Sequence, residues 1–228
     1  MCYTGFQIIG ISESRIKLNK TTSSNIQIPN YTIEQCPTES SNGGTLLYIK
    51  KDIIYKVRYD HKKYKSKEIE SIYIEIIKRN QKNIIVGCIY KHPHMEAYEF
   101  NHCYMDVLSE KLLKEKNKEV ILMGDFNIDL LKYETNNNSS EFLDIIYSSS
   151  LIPRLTSPTR ISPRSKTLID NIFTTDTYDE TIAGNLMTSI SDHLAQFVIF
   201  PNTTNKVKEK DKYQRDFKNF NKNNSLKI

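Results

Sequence analysis

A chain of 228 residues with 38% hydrophobic and 26% charged side chains can bury one substantial core and is too apolar to stay disordered. Its formal net charge of +5 suits a polyanionic partner, because phosphates attract Lys and Arg. The start has neither the basic nor the apolar region of a secretory signal, no run reaches the length of a membrane span, and Cys2, Cys36, Cys88 and Cys103 form no zinc-type spacing; these features argue for an intracellular protein with reduced thiols and against membrane and disulfide-framework classes.

In chain order, residues 7–12 form a short apolar run that ends in Glu13 and predicts a strand. Residues 14–42 are polar and read as irregular. Gly43-Gly44 opens a strand over 45–50. The alternation of Ile72, Ile74 and Ile76 predicts a strand over 71–77, joined by a turn at 79–82 to an Ile/Val-rich strand over 83–90. Phe100, Tyr104, Val107, Leu108 and Leu112 follow helical spacing, which predicts an amphipathic helix over about 95–117. Cys88 and Cys103 read as small buried hydrophobes. Residues 120–123 form a compact apolar run and predict a buried strand. Asn138, with Glu141 three residues later, resembles a helix start before Phe142, Ile145 and Ile146. Strands over 168–173 and 195–200 complete the set. Residues 202–228 are rich in Lys and Asn and read as a linker with a weak aromatic stripe of Tyr213, Phe217 and Phe220.

Three acidic segments follow or adjoin apolar strands: Glu13 after 8–12, Asp125 after 120–124, and Asp192-His193 just before 195–200. Strand ends hold side chains rigidly and can converge on one edge of a sheet. Converging carboxylates repel one another unless a cation neutralises them, and oxygen ligands favour a hard divalent ion such as Mg²⁺. A hard cation beside a His and amide groups equips a site for attack on a phosphodiester.

These segments carry a resemblance. Ile-Ile-Gly-Ile-Ser-Glu-Ser-Arg (8–15), Gly-Gly-Thr-Leu-Leu-Tyr-Ile (43–49), Val-Gly-Cys-Ile-Tyr-Lys-His-Pro (86–93), Met-Gly-Asp-Phe-Asn-Ile-Asp-Leu-Leu (123–131), Ser-Pro-Thr-Arg-Ile (157–161), Lys-Thr-Leu-Ile-Asp-Asn-Ile-Phe (166–173) and Ile-Ser-Asp-His-Leu (190–194) resemble the endonuclease/exonuclease/phosphatase superfamily. The match points to its branch in LINE-type, jockey-like non-LTR retrotransposons. The resemblance implies an α/β fold, a four-layer α/β/β/α sandwich of two packed mixed sheets flanked by helices. It implies a metal-binding glutamate at Glu13 and an aspartate supporting the metal at Asp192. Tyr90 matches a tyrosine that bonds the phosphate region, Asp125 the aspartate that orients or deprotonates water, and Asn127 the amide that holds phosphate and aspartate. Asp170 matches the partner of the final histidine, and His193 the histidine on the scissile phosphate. Arg160 is expected to contact DNA backbone or to form an ion pair, and Lys91 to touch phosphate or stand exposed. His61, His92, His94 and His102 are expected at the surface, and Asp129 to cap a turn.

The implied function is a Mg²⁺-dependent (or Mn²⁺-dependent) endonuclease that nicks DNA, in the cell interior or nucleus. The alternatives are an inactive or weak remnant that binds DNA, and a phosphodiesterase acting on phosphoinositide or RNA. The family's first strand, with its Asn, and its first helix have no counterpart before Glu13. Residues 1–200 therefore read as a domain lacking those elements, with open strand edges and weak activity expected. Residues 201–228 read as a basic linker of the kind that leads to a reverse transcriptase, with no such motifs following.

Overall fold

The computed structural model describes residues 5–17, 26–39, 42–61, 64–65, 67–115, 117–176, 180–188 and 190–201. The aromatic stripe of Tyr213, Phe217 and Phe220, and Cys2, lie outside them. The strands are β1 (Ile8–Ser12), β2 (Tyr31–Cys36), β3 (Thr45–Lys50), β4 (Tyr55–Val57), β5 (Tyr64–Lys65), β6 (Ile69–Ile76) and β7 (Ile84–Lys91). A helical stretch follows: α1 (Ala97–Phe100) runs through a π-helical turn, Asn101–Met105, into α2 (Asp106–Leu113). Next come β8 (Glu119–Asp125), α3 (Asn137–Ser148), β9 (Ile152–Pro153), β10 (Arg160–Ile161), β11 (Lys166–Thr167), β12 (Asp170–Thr174), β13 (Ile182–Leu186) and β14 (Ala195–Ile199).

The large sheet has seven strands in the order β4-β6-β7-β8-β12-β9, with β5 added alongside β6. All pairs described are antiparallel except β7–β8, whose parallel step is bridged by the helical stretch between them. Its two faces have different neighbours. Tyr73, Ile85, Ile89, Val120, Leu122 and Phe173 face the helices, where Phe100, Phe126 and Phe142 form an aromatic cluster with ring centroids 5–7 Å apart. Ile72, Ile74, Val86 and Cys88 face the second sheet, of order β1-β3-β2, through Leu47, Ile49 and Cys36. With neighbours on both sides, β6 and β7 are buried along almost their whole length, which accounts for the near-continuous apolar run of β7 and obliges the Glu70 and Glu75 carboxylates of β6 to find partners.

Two packed sheets with helices outside the large one match the expected class. The outer face of the small sheet carries Leu46 and Tyr48, packed by Ile16 and Ile26, and no helix covers it among the described residues. β1 pairs with β3 alone and β14 with β13 alone, so each has one unpaired edge among the described residues.

Four local readings change. Residues 31–36 form a strand inside a stretch expected to be irregular, because Tyr31 and Ile33 pack on the outer face of the small sheet while Cys36 turns inward. The first helix is interrupted by a π turn at 101–105. The cap of α3 is Asn136, whose side chain accepts from the Asn138 and Ser139 amides, rather than Asn138. Cys103 is exposed instead of buried, whereas Cys36 and Cys88 lie in the core.

Candidate active site

The period of two along each strand decides which carboxylates meet. Tyr90 has the same parity as Val86 and Cys88 and turns toward the small sheet. Register places Asp125 beside Tyr90 and Asp170 beside Asp125. Three side chains from adjacent strands thus form a row across one end of the large sheet, on the face that looks at the small sheet. Glu13 closes the row from the end of β1: the Tyr90 hydroxyl donates to its Oε1 at 3.4 Å.

The backbone around this row is specialised. Glu13 and Asn127 both take left-handed conformations, with φ of 56° and 46°. Such conformations cost about 1–3 kcal/mol and survive where the surroundings enforce them. Gly124, with φ of 145°, precedes Asp125, and a Cβ there would stand 1.8 Å from the Ile89 carbonyl oxygen. Only glycine lets β8 approach β7 so closely, so the Gly-Asp-Phe-Asn motif is in part a backbone requirement.

Asp125 is 7% exposed and Asp170 5%. Burial, followed by the neighbouring Asp170 carboxylate, pushes the Asp125 carboxyl up to about 7. The Asn127 amide N–H opposes this by donating to Oδ1 at 2.9 Å. The Asn127 side chain donates to the Lys91 carbonyl at 2.7 Å, which ties the 125–127 turn to the end of β7. His193 Nδ1 donates to both oxygens of Asp170, at 3.1 and 3.0 Å. That bond is the main reason the imidazole titrates above its usual value. With Nδ1 engaged, Nε2 is left to meet a ligand.

Asp192 and Arg160 form the outer rim. Arg160 Nε donates to Asp192 Oδ2 at 2.7 Å, and the guanidinium holds that carboxyl below its ordinary value. Of the two expectations for Arg160, the ion pair is the one observed. Thr159, which sequence reasoning passed over, anchors this rim. Its buried hydroxyl accepts from the Asp170 amide at 3.1 Å, and its carbonyl accepts from the Leu194 amide at 2.7 Å. The Pro-Thr-Arg segment is thus the clamp that sets His193 against Asp170, and its recurrence in the motif set was the available signal.

Lys91 corrects an expectation. It is 2% exposed, and its ammonium donates to the carbonyls of Met95 (2.6 Å) and His92 (3.3 Å). It holds a loop and does not reach the solvent side. His61 and His92, expected at the surface, are each 4% exposed: His92 lies beside the buried Glu70 carboxylate, and His61 lies under the exposed Asp60, edge-on to the Tyr73 ring. Asp129 caps as expected, accepting from the Leu131 and Leu168 amides.

Asp125, Asp170 and His193 bring ligand atoms within 4.8 Å of one another. Among the described residues the ion pairs of this edge are His193–Asp170, Arg160–Asp192, His92–Glu70 and a 3.9 Å contact of Arg15 with Glu13; Asp125 enters none of them. A second group with metal-like spacing, Asp60–His61–Glu115, differs: the Arg58 guanidinium is bonded to Asp60 and Glu115 and already supplies the cation.

The family model for endonuclease-reverse transcriptases matches residues 84–197, half of the chain. The chain belongs to the endonuclease/exonuclease/phosphatase superfamily. Members of that superfamily are hydrolytic nucleases and phosphodiesterases, and this chain is a hydrolase of that class. Solved structures agree on the fold. The endonuclease domain of TRAS1, a telomere-specific non-LTR retrotransposon, aligns with a TM-score of 0.62 at 14% identity, covering 84% of each chain. A 3'-5' exonuclease from Neisseria meningitidis aligns at 0.58 and 13% identity, covering 85% of this chain and 89% of its own. Truncated Caenorhabditis elegans TDP2 aligns at 0.56 and 14% identity, covering 83% and 82%. No curated protein matches by sequence. Within this superfamily fold the acidic edge lies where the ends of β1, β7, β8 and β12 meet, with Asp192 at its outer rim.

Proposed function

We propose that this superfamily domain is a divalent-cation-dependent endonuclease that nicks DNA, of the kind that serves a non-LTR retrotransposon. The observation that carries the proposal is the row Tyr90–Asp125–Asp170, closed by Glu13 and backed by His193. The Asp125 carboxyl is buried beside another carboxylate and enters no ion pair among the described residues, with His193 the cation that most lowers it. That charge deficit, with oxygen donors on Glu13, Asp125 and Asp170, fits a hard divalent ion, and Mg²⁺ or Mn²⁺ is the proposed cofactor. Glu13 would hold it, with Asp192 supporting from the rim. An ion held there would supply positive charge against a phosphodiester and would favour the ionised form of Asp125.

The residues divide the remaining work. Asp125, ionised and held by the Asn127 amide, orients water and takes its proton. Asp170 fixes the His193 tautomer and favours imidazolium, so that Nε2–H meets a non-bridging phosphate oxygen. Tyr90 and Asn127 fix the phosphate and the Asp125 turn, and Arg160 contacts the flanking backbone. DNA is favoured over a lipid or RNA substrate by the retroelement-type motifs, while the net charge of +5 suits any polyanionic phosphate substrate. A relative of the same fold, the Neisseria 3' phosphatase, is bound to a product DNA hairpin. Among the described residues no helix is long and apolar enough to cross a membrane. A nicking role places the protein in the nucleus.

The test is relaxation of supercoiled plasmid. Nicking is expected with Mg²⁺ or Mn²⁺ and absent in excess EDTA, and equal nicking in EDTA would refute the proposal. His193→Ala is expected to lower the rate about 10²–10⁴-fold, the usual worth of a group acting on the reacting phosphate.

A further inference from the structure

The row at the active edge does not end at Tyr90. On the next strand, β6, register places Glu70 beside Tyr90, so the sequence across four strands is Glu70–Tyr90–Asp125–Asp170 on one face. Each end of the row carries a carboxylate–imidazole pair. At one end Asp170 bonds His193; at the other, Glu70 Oε2 lies 3.3 Å from His92 Nε2. The two pairs differ in access. His193 is partly exposed, whereas Glu70 and His92 are 0% and 4% exposed and cannot meet a substrate.

The contacts of Glu70 show what it holds. The Gly44 amide and the Thr38 hydroxyl donate to its carboxylate. Burial alone would raise that carboxyl, but His92, Thr38 and Gly44 outweigh burial and keep it below its ordinary value. Gly43 and Gly44 have φ of 122° and 85°, and a Cβ on Gly43 would stand 2.5 Å from Glu70 Oε2. The backbone is therefore drawn down onto this carboxylate. The same two glycines carry the Glu13 segment: the Ser14 amide donates to the Gly44 carbonyl at 3.0 Å and the Arg15 amide to the Gly43 carbonyl at 2.7 Å. Thr38 ties the segment once more, its amide donating to the Ile16 carbonyl at 2.8 Å. Glu13 itself stands in a left-handed conformation that needs such support. His92 completes the arrangement by packing edge-on against the Tyr90 ring, with centroids 4.6 Å apart.

We infer that Glu70 is a positioning residue for the Glu13 limb of the site, holding the Gly43–Gly44 turn and through it the left-handed Glu13, while His92 seats the Tyr90 ring. The inference rests on the proposed role of Glu13 as the cation ligand. Glu70 acts through hydrogen-bond acceptance at a fixed reach. Shortening it must therefore loosen Glu13, and replacing it with an acceptor of equal length must not.

Two measurements on the full chain test this, with Mn²⁺ as the probe. Mn²⁺ affinity is read by titration calorimetry, and amide hydrogen exchange is read at Ser14 and Arg15 without metal. Glu70→Asp is expected to weaken Mn²⁺ binding at least tenfold and to speed exchange at both amides at least tenfold, with β6 and β7 amides unchanged. Glu70→Gln is expected to stay within threefold of the parent in both. Wild-type affinity and wild-type exchange in Glu70→Asp overturn the inference. If Glu70→Asp does not fold, Glu70→Gln decides: a tenfold loss of Mn²⁺ affinity there overturns it, because length and acceptor are retained. Glu13→Gln separates the two levels. Undiminished Mn²⁺ binding in that variant sinks the metal role of Glu13, whereas a Glu13-dependent site indifferent to Glu70→Asp sinks only the role of Glu70.

Discussion

Asp125 concentrates the conflict between stability and chemistry. In the folded protein its carboxyl holds a proton up to about pH 7, while in the unfolded chain it releases it near its ordinary value of 3.8. Folding therefore takes up a proton between those values. The stability this provides is full below the unfolded value and is lost as pH rises through the folded one. His193, raised by Asp170, acts in the same direction: its contribution is present below the ordinary histidine value and is lost as pH rises through its folded value. Metal-free protein is thus expected to melt at progressively lower temperature from pH 5 to pH 8. Asp125→Asn keeps the acceptor for the Asn127 amide and removes the charge. It is expected to flatten that dependence and to raise the Tm at pH 8 by several degrees in EDTA, while lowering plasmid nicking by about 10² or more. Thermal scans across pH check the first part; an unchanged slope in Asp125→Asn would place the destabilising charge elsewhere.

At the scale of an element, β8 shows how one strand serves packing and chemistry together. Val120 and Leu122 face the helices, Ile121 and Met123 face the small sheet, and the strand ends by presenting Asp125 on the second of these faces. Gly124 makes the ending possible, because the chain passes against the Ile89 carbonyl at a separation no Cβ tolerates. Gly124→Ala is expected to cost about 3 kcal/mol or more, through strain at positive φ and a forced separation of β7 from β8. Because the separation moves Asp125 away from Tyr90, nicking should fall further than the folded fraction does. Urea unfolding and nicking per folded molecule distinguish the two losses. Threonine 159 plays the corresponding part for β12. Thr159→Val leaves the Asp170 amide buried without an acceptor, at about 1–3 kcal/mol, while the backbone bond from the Leu194 amide to the residue 159 carbonyl is kept.

The whole molecule treats its buried carboxylates differently at its two ends. Glu75 lies five residues along β6 from Glu70, roughly 17 Å away at the rise of a strand. It is 1% exposed and is neutralised by Arg58, Lys118 and Lys56, at 2.7, 3.1 and 3.2 Å. Although burial opposes it, these partners together with the Asn83 amide hold its carboxyl at about 2. This end staples β6 to the β4 edge and to the end of α2. At the other end Asp125 stands in no ion pair among the described residues. Arg58→Met is expected to cost about 3–5 kcal/mol at neutral pH by leaving Glu75 less compensated. The depressed Glu75 carboxyl contributes stability above its unfolded value and loses it as pH falls through the folded one. The deficit in Arg58→Met should therefore shrink in acid, where Glu75 is neutral in both proteins. Nicking per folded molecule should be unaffected, since the change lies at the far end of the sheet.

Much of this was legible before folding was considered. The apolar runs ending in Glu13 and Asp125 located two strand ends, the alternation in 71–77 and 83–90 located a hairpin, and the motif set pointed to the superfamily and to Asp170 and His193. These are local signals, because a strand's period and the residue that follows it are written in consecutive positions. Only the tertiary structure decided what depends on register and burial. Glu70 fell just outside the strand predicted over 71–77 and drew no functional reading; β6 begins at Ile69, and cross-strand pairing sets Glu70 beside Tyr90. Lys91 was expected to touch phosphate or stand exposed, and the carbonyls of His92 and Met95 instead enclose its ammonium. Residues 31–36 lack a strong strand pattern and became a strand because β3 offered an edge and an apolar face to cover. The physical reason is the same in each case: the partner that determines the residue's role lies far along the chain, and its distance is set by how the sheets pair and stack.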